Sequence, residues 1–207
     1  MKRFLTFVLF ILIYSNIYSQ DVQNSTSNGD WIITADIGFA TLEAKDNFKI
    51  ATTIEGVFVG KEFLLNEKSS LIVGLGFENA RADFYNASNQ QVFIKNSYLN
   101  IPVSYRLFYD KPSRFALFAD LGIYGSYLLK SKSEILLADF DESEKGLGFN
   151  FGVQGSFGAK YKFNNEKYNM SFGIKTKSDL INSYKSSVQE FMLKDTYMFQ
   201  IGLGLSL

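Results

Sequence analysis

The stretch from Tyr197 to Leu207 constrains the chain most. It alternates without interruption: Tyr197, Phe199, Ile201, Leu203, Leu205 and Leu207 fall on one face, and Met198, Gln200, Gly202, Gly204 and Ser206 on the other. Successive side chains of a strand point to opposite faces, so this is a β-strand with one greasy and one small or polar face. Left at a sheet edge in water, such a strand invites aggregation. It makes sense as the closing strand of a barrel whose greasy face meets lipid.

The same period recurs upstream. Trp31, Ile33, Ala35, Ile37 and Phe39 oppose Thr34, Asp36 and Gly38. A second strand, from about Phe48 to Phe63, has the least clear register. Ile50, Ile54 and Phe58 share one face, and Glu55, Val57, Val59 and Lys61 the other, so a bulge is one way to reconcile them. In the third strand Leu71, Val73, Leu75 and Phe77 oppose Gly74, Gly76 and Glu78, and both faces turn polar beyond Asn79. The fourth places Leu99, Ile101, Val103, Tyr105 and Leu107 against Tyr98, Asn100, Pro102, Ser104 and Arg106. The fifth sets Phe115, Leu117, Ala119, Leu121, Ile123 and Tyr127 against Ala116, Phe118, Asp120, Gly122, Tyr124 and Ser126. The sixth runs from Leu147 to Phe163 with Gly148, Asn150, Gly152, Gln154, Ser156, Gly158 and Lys160 on its small or polar face. The seventh turns Tyr168, Met170, Phe172, Ile174 and Thr176 away from Asn169, Ser171, Gly173, Lys175 and Lys177.

With the closing strand this predicts an all-β fold, an eight-stranded antiparallel up-and-down barrel. Short turns at 66–70, 110–113 and 164–167 alternate with longer loops at 41–47, 85–91, 130–145 and 178–194. Short turns at one end and long loops at the other is the layout of an outer-membrane barrel, turns periplasmic and loops outside. A soluble lipocalin-like barrel keeps its apolar face inside around a ligand. Here the other face carries Asp36, Glu55, Glu78, Asn100, Arg106, Asp120, Gln154, Lys160, Lys175 and Gln200, and a large apolar face left in water does not stay monomeric. The expected interior is a plug of paired charges, because buried charges must be paired. Asp36, Asp120, Glu55 and Glu78 are the acids, and Arg106, Lys160 and Lys175 the bases. Trp31, Phe63, Phe115, Phe163 and Tyr168 near the turns, with Phe39, Tyr127 and Phe149 near the loops, fit two aromatic girdles.

The first residues read as an export signal. Met1-Lys2-Arg3 is basic, Phe4 to Tyr14 is an apolar run too short to span a bilayer comfortably, and small polar residues follow to Ser19. The expected organisation is a signal peptide over 1–19, a flexible lead-in over 20–30 and the barrel over 31–207.

Composition removes whole classes of chemistry. There is no Cys and no His, so thiolate metal sites, disulfides and the commonest general base are all absent. Lys plus Arg balances Asp plus Glu at 21 each, which gives no electrostatic lure for nucleic acid. Aromatic residues form 16% of the chain against only 2 Pro, as a strand-rich fold requires. Asp139 to Glu144 spaces oxygens like half a calcium loop. The sixth-position Gly is missing and Asn150 stands where the last Glu belongs, so a solvated acidic loop is the reading. No catalytic, cofactor-binding or metal site is expected, and the protein reads as not an enzyme.

Tyr98-Leu99-Asn100-Ile101-Pro102, running into Val103-Ser104-Tyr105-Arg106, resembles the corresponding strand of PorT-like outer-membrane β-barrel proteins. Phe118-Ala119-Asp120-Leu121-Gly122 and the Gly-aromatic sixth strand agree with it. The resemblance implies a small integral outer-membrane barrel, some of whose relatives serve secretion or gliding machinery. Such barrels often end on Phe, and this chain ends on Leu207. The expected function is a structural or binding role through the outer loops. The alternatives are a narrow channel or secretion-associated component and, after these, the soluble barrel. The expected partners are outer-membrane lipid, the insertion machinery through the C-terminal strand, and an extracellular or secretion-machinery protein.

Overall fold

A computed structural model describes residues 29–44, 49–86, 88–109, 114–135, 140–163, 167–182 and 191–206. The expected signal peptide and nearly all of the lead-in lie outside these residues, as do the turns at 110–113 and 164–166. Eight strands follow one another: β1 Asp30–Ala44, β2 Lys49–Asn66, β3 Ser69–Tyr85, β4 Gln91–Tyr109, β5 Phe115–Ile135, β6 Phe140–Lys162, β7 Tyr168–Asn182 and β8 Phe191–Ser206. Each pairs antiparallel with its neighbours, and β8 pairs with β1 to close the barrel. The closing strand therefore lies between the first and seventh, as its pattern requires.

Closure has a slant. The hydrogen-bonded row through Val57 reaches Phe149 on β6 by way of Phe77, Leu99 and Tyr127. The other way round, through Ala35, Ile201 and Phe172, it reaches Ala159. That offset is the shear of the barrel, and it obliges the strands to tilt. Groups facing each other across the lumen are therefore distant in register.

The alternation places the lipid-facing set as expected. Ile37, Phe39, Leu75, Ile101, Leu121, Phe157, Ile174 and Phe199 are all exposed, and so are the aromatic residues assigned to the girdles. In water this belt would be untenable, and in lipid it is the stabilising surface.

Three expectations need correction. First, β2 has no bulge in its middle, since its register with β1 runs unbroken from Asp30↔Glu62 to Glu43↔Lys49. Its even residues face inward, so Ile50, Ile54 and Phe58 are buried. Glu55 faces outward, where it pairs with Arg81. Second, the stretches read as long loops at 130–145 and 178–194 are largely strand. β5 and β6 pair up to Ile135↔Phe140, and β7 runs to Asn182. The apolar Ile135, Phe191 and Met192 are strand extensions, and the candidate calcium stretch is strand from Phe140 onward. Third, β1 begins at Asp30, one residue inside the expected lead-in.

Above the lipid belt the polarity inverts. Outward positions become polar, with Thr53, Asn79, Arg81, Asp83, Lys95 and Lys130. Inward positions become apolar, with Leu42, Ile50, Ile54, Ala80, Ala82, Ile94, Leu128, Leu193 and Met198 in one cluster. The strands therefore continue beyond the membrane as a water-facing barrel with an ordinary hydrophobic core. Register shifts interrupt four of the ladders in the upper barrel, β1–β8, β4–β5, β5–β6 and β6–β7. The β5–β6 register shifts beside Gly148, whose φ of 149° suits only glycine, and the β1–β8 register shifts beside Asp195 at φ 46°.

Candidate functional site

The candidate site is the lumen, because the inward faces of all eight strands converge there. At the turn end, Lys160 of β6 reaches across to β1 and β2 and donates to Asp30 Oδ2 and Glu62 Oε2, both at 2.7 Å. Ser70 Oγ donates to Glu62 Oε1 at 2.6 Å, and Ser206 Oγ to Asp30 Oδ1 at 2.6 Å. Beside them Arg106 and Asp120, directly opposite on β4 and β5, form a bidentate pair at 2.7 and 2.8 Å. Ser156 adds a bond to Asp120 Oδ2 at 2.7 Å. The Arg106 guanidinium lies 3.9 Å from the Phe118 ring centroid and 3.7 Å from Glu62 Oε1. Flat, multiply satisfied guanidinium pairing of this kind fixes geometry as well as energy.

At mid-height, Lys175 of β7 donates to Asp36 Oδ2 at 2.9 Å and Gln200 Nε2 to Asp36 Oδ1 at 3.0 Å. Gln154 Nε2 donates to Ser104 Oγ at 2.7 Å. Between these groups and the Arg106 pair lies a cavity of about 40 Å³. At about 10–15 Å³ per water it has room for roughly three. Small residues make room for the large ones. Gly60 and Gly74 face each other across β2 and β3 beneath Phe58, and a Cβ on Gly60 would stand 2.3 Å from the Phe58 ring.

The upper polar layer joins β7 to β3, β5, β6 and β8. Lys177 pairs with Glu78 across the lumen, and its Nζ lies 4.9 Å from the Tyr124 ring centroid. Asp179 is held by neutral donors: Tyr124 Oη at 2.6 Å, Asn150 Nδ2 at 2.7 Å and the Leu193 amide at 2.8 Å. Above this layer Tyr98 and the apolar cluster fill the bore. Tyr124→Phe removes one charge-assisted bond to a buried carboxylate, which places the expected loss of folding free energy at about 1.5–3 kcal/mol. Urea titration of the barrel in lipid vesicles measures it. A loss below about 0.5 kcal/mol would mean that water replaces the phenol freely.

The structure pairs Asp36 with Lys175 and Asp120 with Arg106, as the sequence suggested, whereas Glu78 is paired by Lys177 and Lys160 by Asp30 and Glu62, and Glu55 lies outside. Asp30, Glu62 and Asp179 join the network without having been expected there. For Glu62 the signal existed: it shares the parity of Ile50, Ile54 and Phe58, all inward. Among the described residues no group of acids is placed to hold a metal. Chemically the lumen is a set of charge-paired spokes under an apolar lid. Its carboxylates and amines are bonded to one another, and they are held there rather than presented to a substrate.

A family of proteins carrying an outer membrane protein beta-barrel domain matches residues 41–206. Among solved structures, the chain is similar to the outer membrane protein OprG of Pseudomonas aeruginosa. The identity is 15%, covering 87% of this chain and 97% of that one, with a TM-score of 0.51. It is also similar to Neisserial surface protein A, at 13% identity over 86% and 99% of the two chains, TM-score 0.48. The outer membrane protease OmpT of Escherichia coli is similar at 8% identity over 90% and 99%, TM-score 0.46. Likeness at these identities speaks for the fold alone. A search of curated protein sequences gives no match.

Proposed function

This chain belongs to the outer membrane protein beta-barrel domain family and resides in the bacterial outer membrane, and from that premise we propose that it is a closed, non-catalytic barrel. Its work is done by the strand ends that stand outside the cell. The observation that carries this reading is the filling of the lumen: ion pairs bridge it at three levels, and an apolar cluster seals its outer end. A solute path would have to break the Lys177–Glu78 bridge and displace Leu42, Tyr98 and Leu193 together. What faces outward instead is a collar of paired strand ends, in which β5 and β6 stay paired up to Ile135↔Phe140. A collar held by β-pairing presents its side chains with little entropy left to lose on binding, which favours a structural or binding role. The likeness of the Tyr98–Pro102 stretch to PorT-like barrels supports a partner within secretion machinery.

Planar-bilayer recording of the refolded protein tests this directly. No stable stepwise conductance is expected at either polarity. Long-lived, reproducible steps would overturn the closed reading and move the role to narrow transport.

A further inference from the structure

The outward face just above the lipid belt carries an unusual row. Arg81 of β3 lies directly opposite Lys95 of β4, and Lys95 directly opposite Lys132 of β5. Lys130 sits one outward position below Lys132, next to Ser97. Adjacent strands are about 4.8 Å apart, and like charges placed directly opposite one another are destabilising. Two members have acids: Arg81 pairs with Glu55 and Lys132 with Glu134. Lys95 and Lys130 are exposed, and no acid stands directly opposite either on a neighbouring strand, where Arg81, Lys132, Ser97 and Lys145 are found.

The row's height is set by what lies above and below it. On each strand the nearest apolar outward residues below the cations are Phe77, Leu99 and Tyr127, themselves a single hydrogen-bonded row. The cations begin within two outward positions of these, which is at most about 13 Å along a tilted strand. The next outward row up holds Asp83, Phe93 and Glu134. On β3, β4 and β5 charge is thus segregated by depth, with cations nearer the membrane surface and acids beyond them, while Glu55 of β2, level with Lys130, is taken up by Arg81. Solubility alone does not call for this order, since it would be served equally by mixing the signs. With the turns periplasmic, this level is that of the outer-leaflet headgroups.

We propose that Arg81, Lys95, Lys130 and Lys132 form a seat for the phosphate of a phosphorylated outer-leaflet lipid, its acyl chains lying on Phe77, Leu99 and Tyr127. The lysines supply point charges to a phosphate, and Arg81 supplies a planar fork. The aromatic and aliphatic row beneath gives the attached chains a dry surface. The seat uses only outward groups, so it stands whether or not the lumen conducts.

The test uses the folded barrel in neutral detergent, with purified lipid A as probe and native mass spectrometry to count bound lipid. The comparison variant is Lys95→Gln/Lys130→Gln/Lys132→Gln, with Lys49→Gln, an exposed lysine on β2, as control. Heat-modifiable migration confirms that each variant is folded. With about a factor of five per lysine, the triple variant should bind lipid A roughly a hundredfold more weakly, and the control should match the wild type. Dephosphorylated lipid A should bind wild type and triple variant alike. Unchanged binding by the triple variant would overturn the proposal, as would equal wild-type affinity for the dephosphorylated lipid. Displacement of lipid A by millimolar inorganic phosphate would overturn the lipid source and leave a site for free anions.

Discussion

Replacing Glu62 with Leu is expected to lower the folding free energy of the barrel by about 3–5 kcal/mol, the cost of removing one partner from a buried ion pair. Glu62 is 0% exposed and accepts from both Lys160 and Ser70, with Arg106 close by. Leu fits the volume and offers no acceptor. Lys160 then keeps only Asp30, which sits at the rim and is shared with Asn169 and Ser206. The companion variant Glu62→Leu/Lys160→Met removes both charges. Replacing a whole buried pair by apolar residues is often neutral, so most of the loss should return. Asp30 is left without its lysine, but near solvent it keeps two neutral donors. Urea unfolding from lipid vesicles, read by heat-modifiable migration, gives both numbers. A cost below about 1 kcal/mol for the single variant would show water reaching Lys160 freely. The plug would then not be the dry structure on which the closed reading depends.

How far this arrangement was legible in the sequence depends on two separate quantities. The phase of a strand is set by its period of two and survives until a bulge resets it, as between Leu128 and Lys130 of β5. The polarity of each face is set by its surroundings, and these change with height. Within the lipid belt outward means greasy, so β4, β5 and β6 could be read directly. Above the belt outward means polar, and a reading that follows polarity crosses to the wrong face. That is what happened at Glu55: it has the parity of Val57 and Val59, which are exposed, yet it looks like an interior charge. The same inversion made Lys130 to Lys145 look like a loop, because charged outward residues on a water-facing hairpin match loop composition. Asp179 fell within the stretch read as the last long loop, and its inward place shows only in the ladder with β6. The interior charges were visible as a set, but their pairing was not. Lys160 finds Glu62, and Lys177 finds Glu78, across a bore whose shear no single strand records.

The inversion itself predicts the largest contrast between two similar-looking surface changes. Leu121 on β5 is 75% exposed, and Tyr85 on β3 is 66% exposed. Judged by exposure alone, an arginine is equally acceptable at both. Leu121, however, lies midway along the apolar outward face that runs from Phe115 to Tyr127, within the hydrocarbon. Tyr85 stands above Arg81 and Asp83, beyond the belt. Leu121→Arg should therefore cost about 2–4 kcal/mol, the penalty for arginine near the bilayer midplane of a barrel. Tyr85→Arg should stay within about 0.5 kcal/mol of wild type. Fluorescence of Trp31 during urea unfolding from vesicles reports both, since that ring leaves the interface on unfolding. In a water-soluble barrel the order would vanish or reverse, because an arginine replacing an exposed leucine there loses nothing. Equal costs at the two positions would mean that the belt is not in lipid. The height of the cationic row, and with it the phosphate seat, would then lose its reference plane.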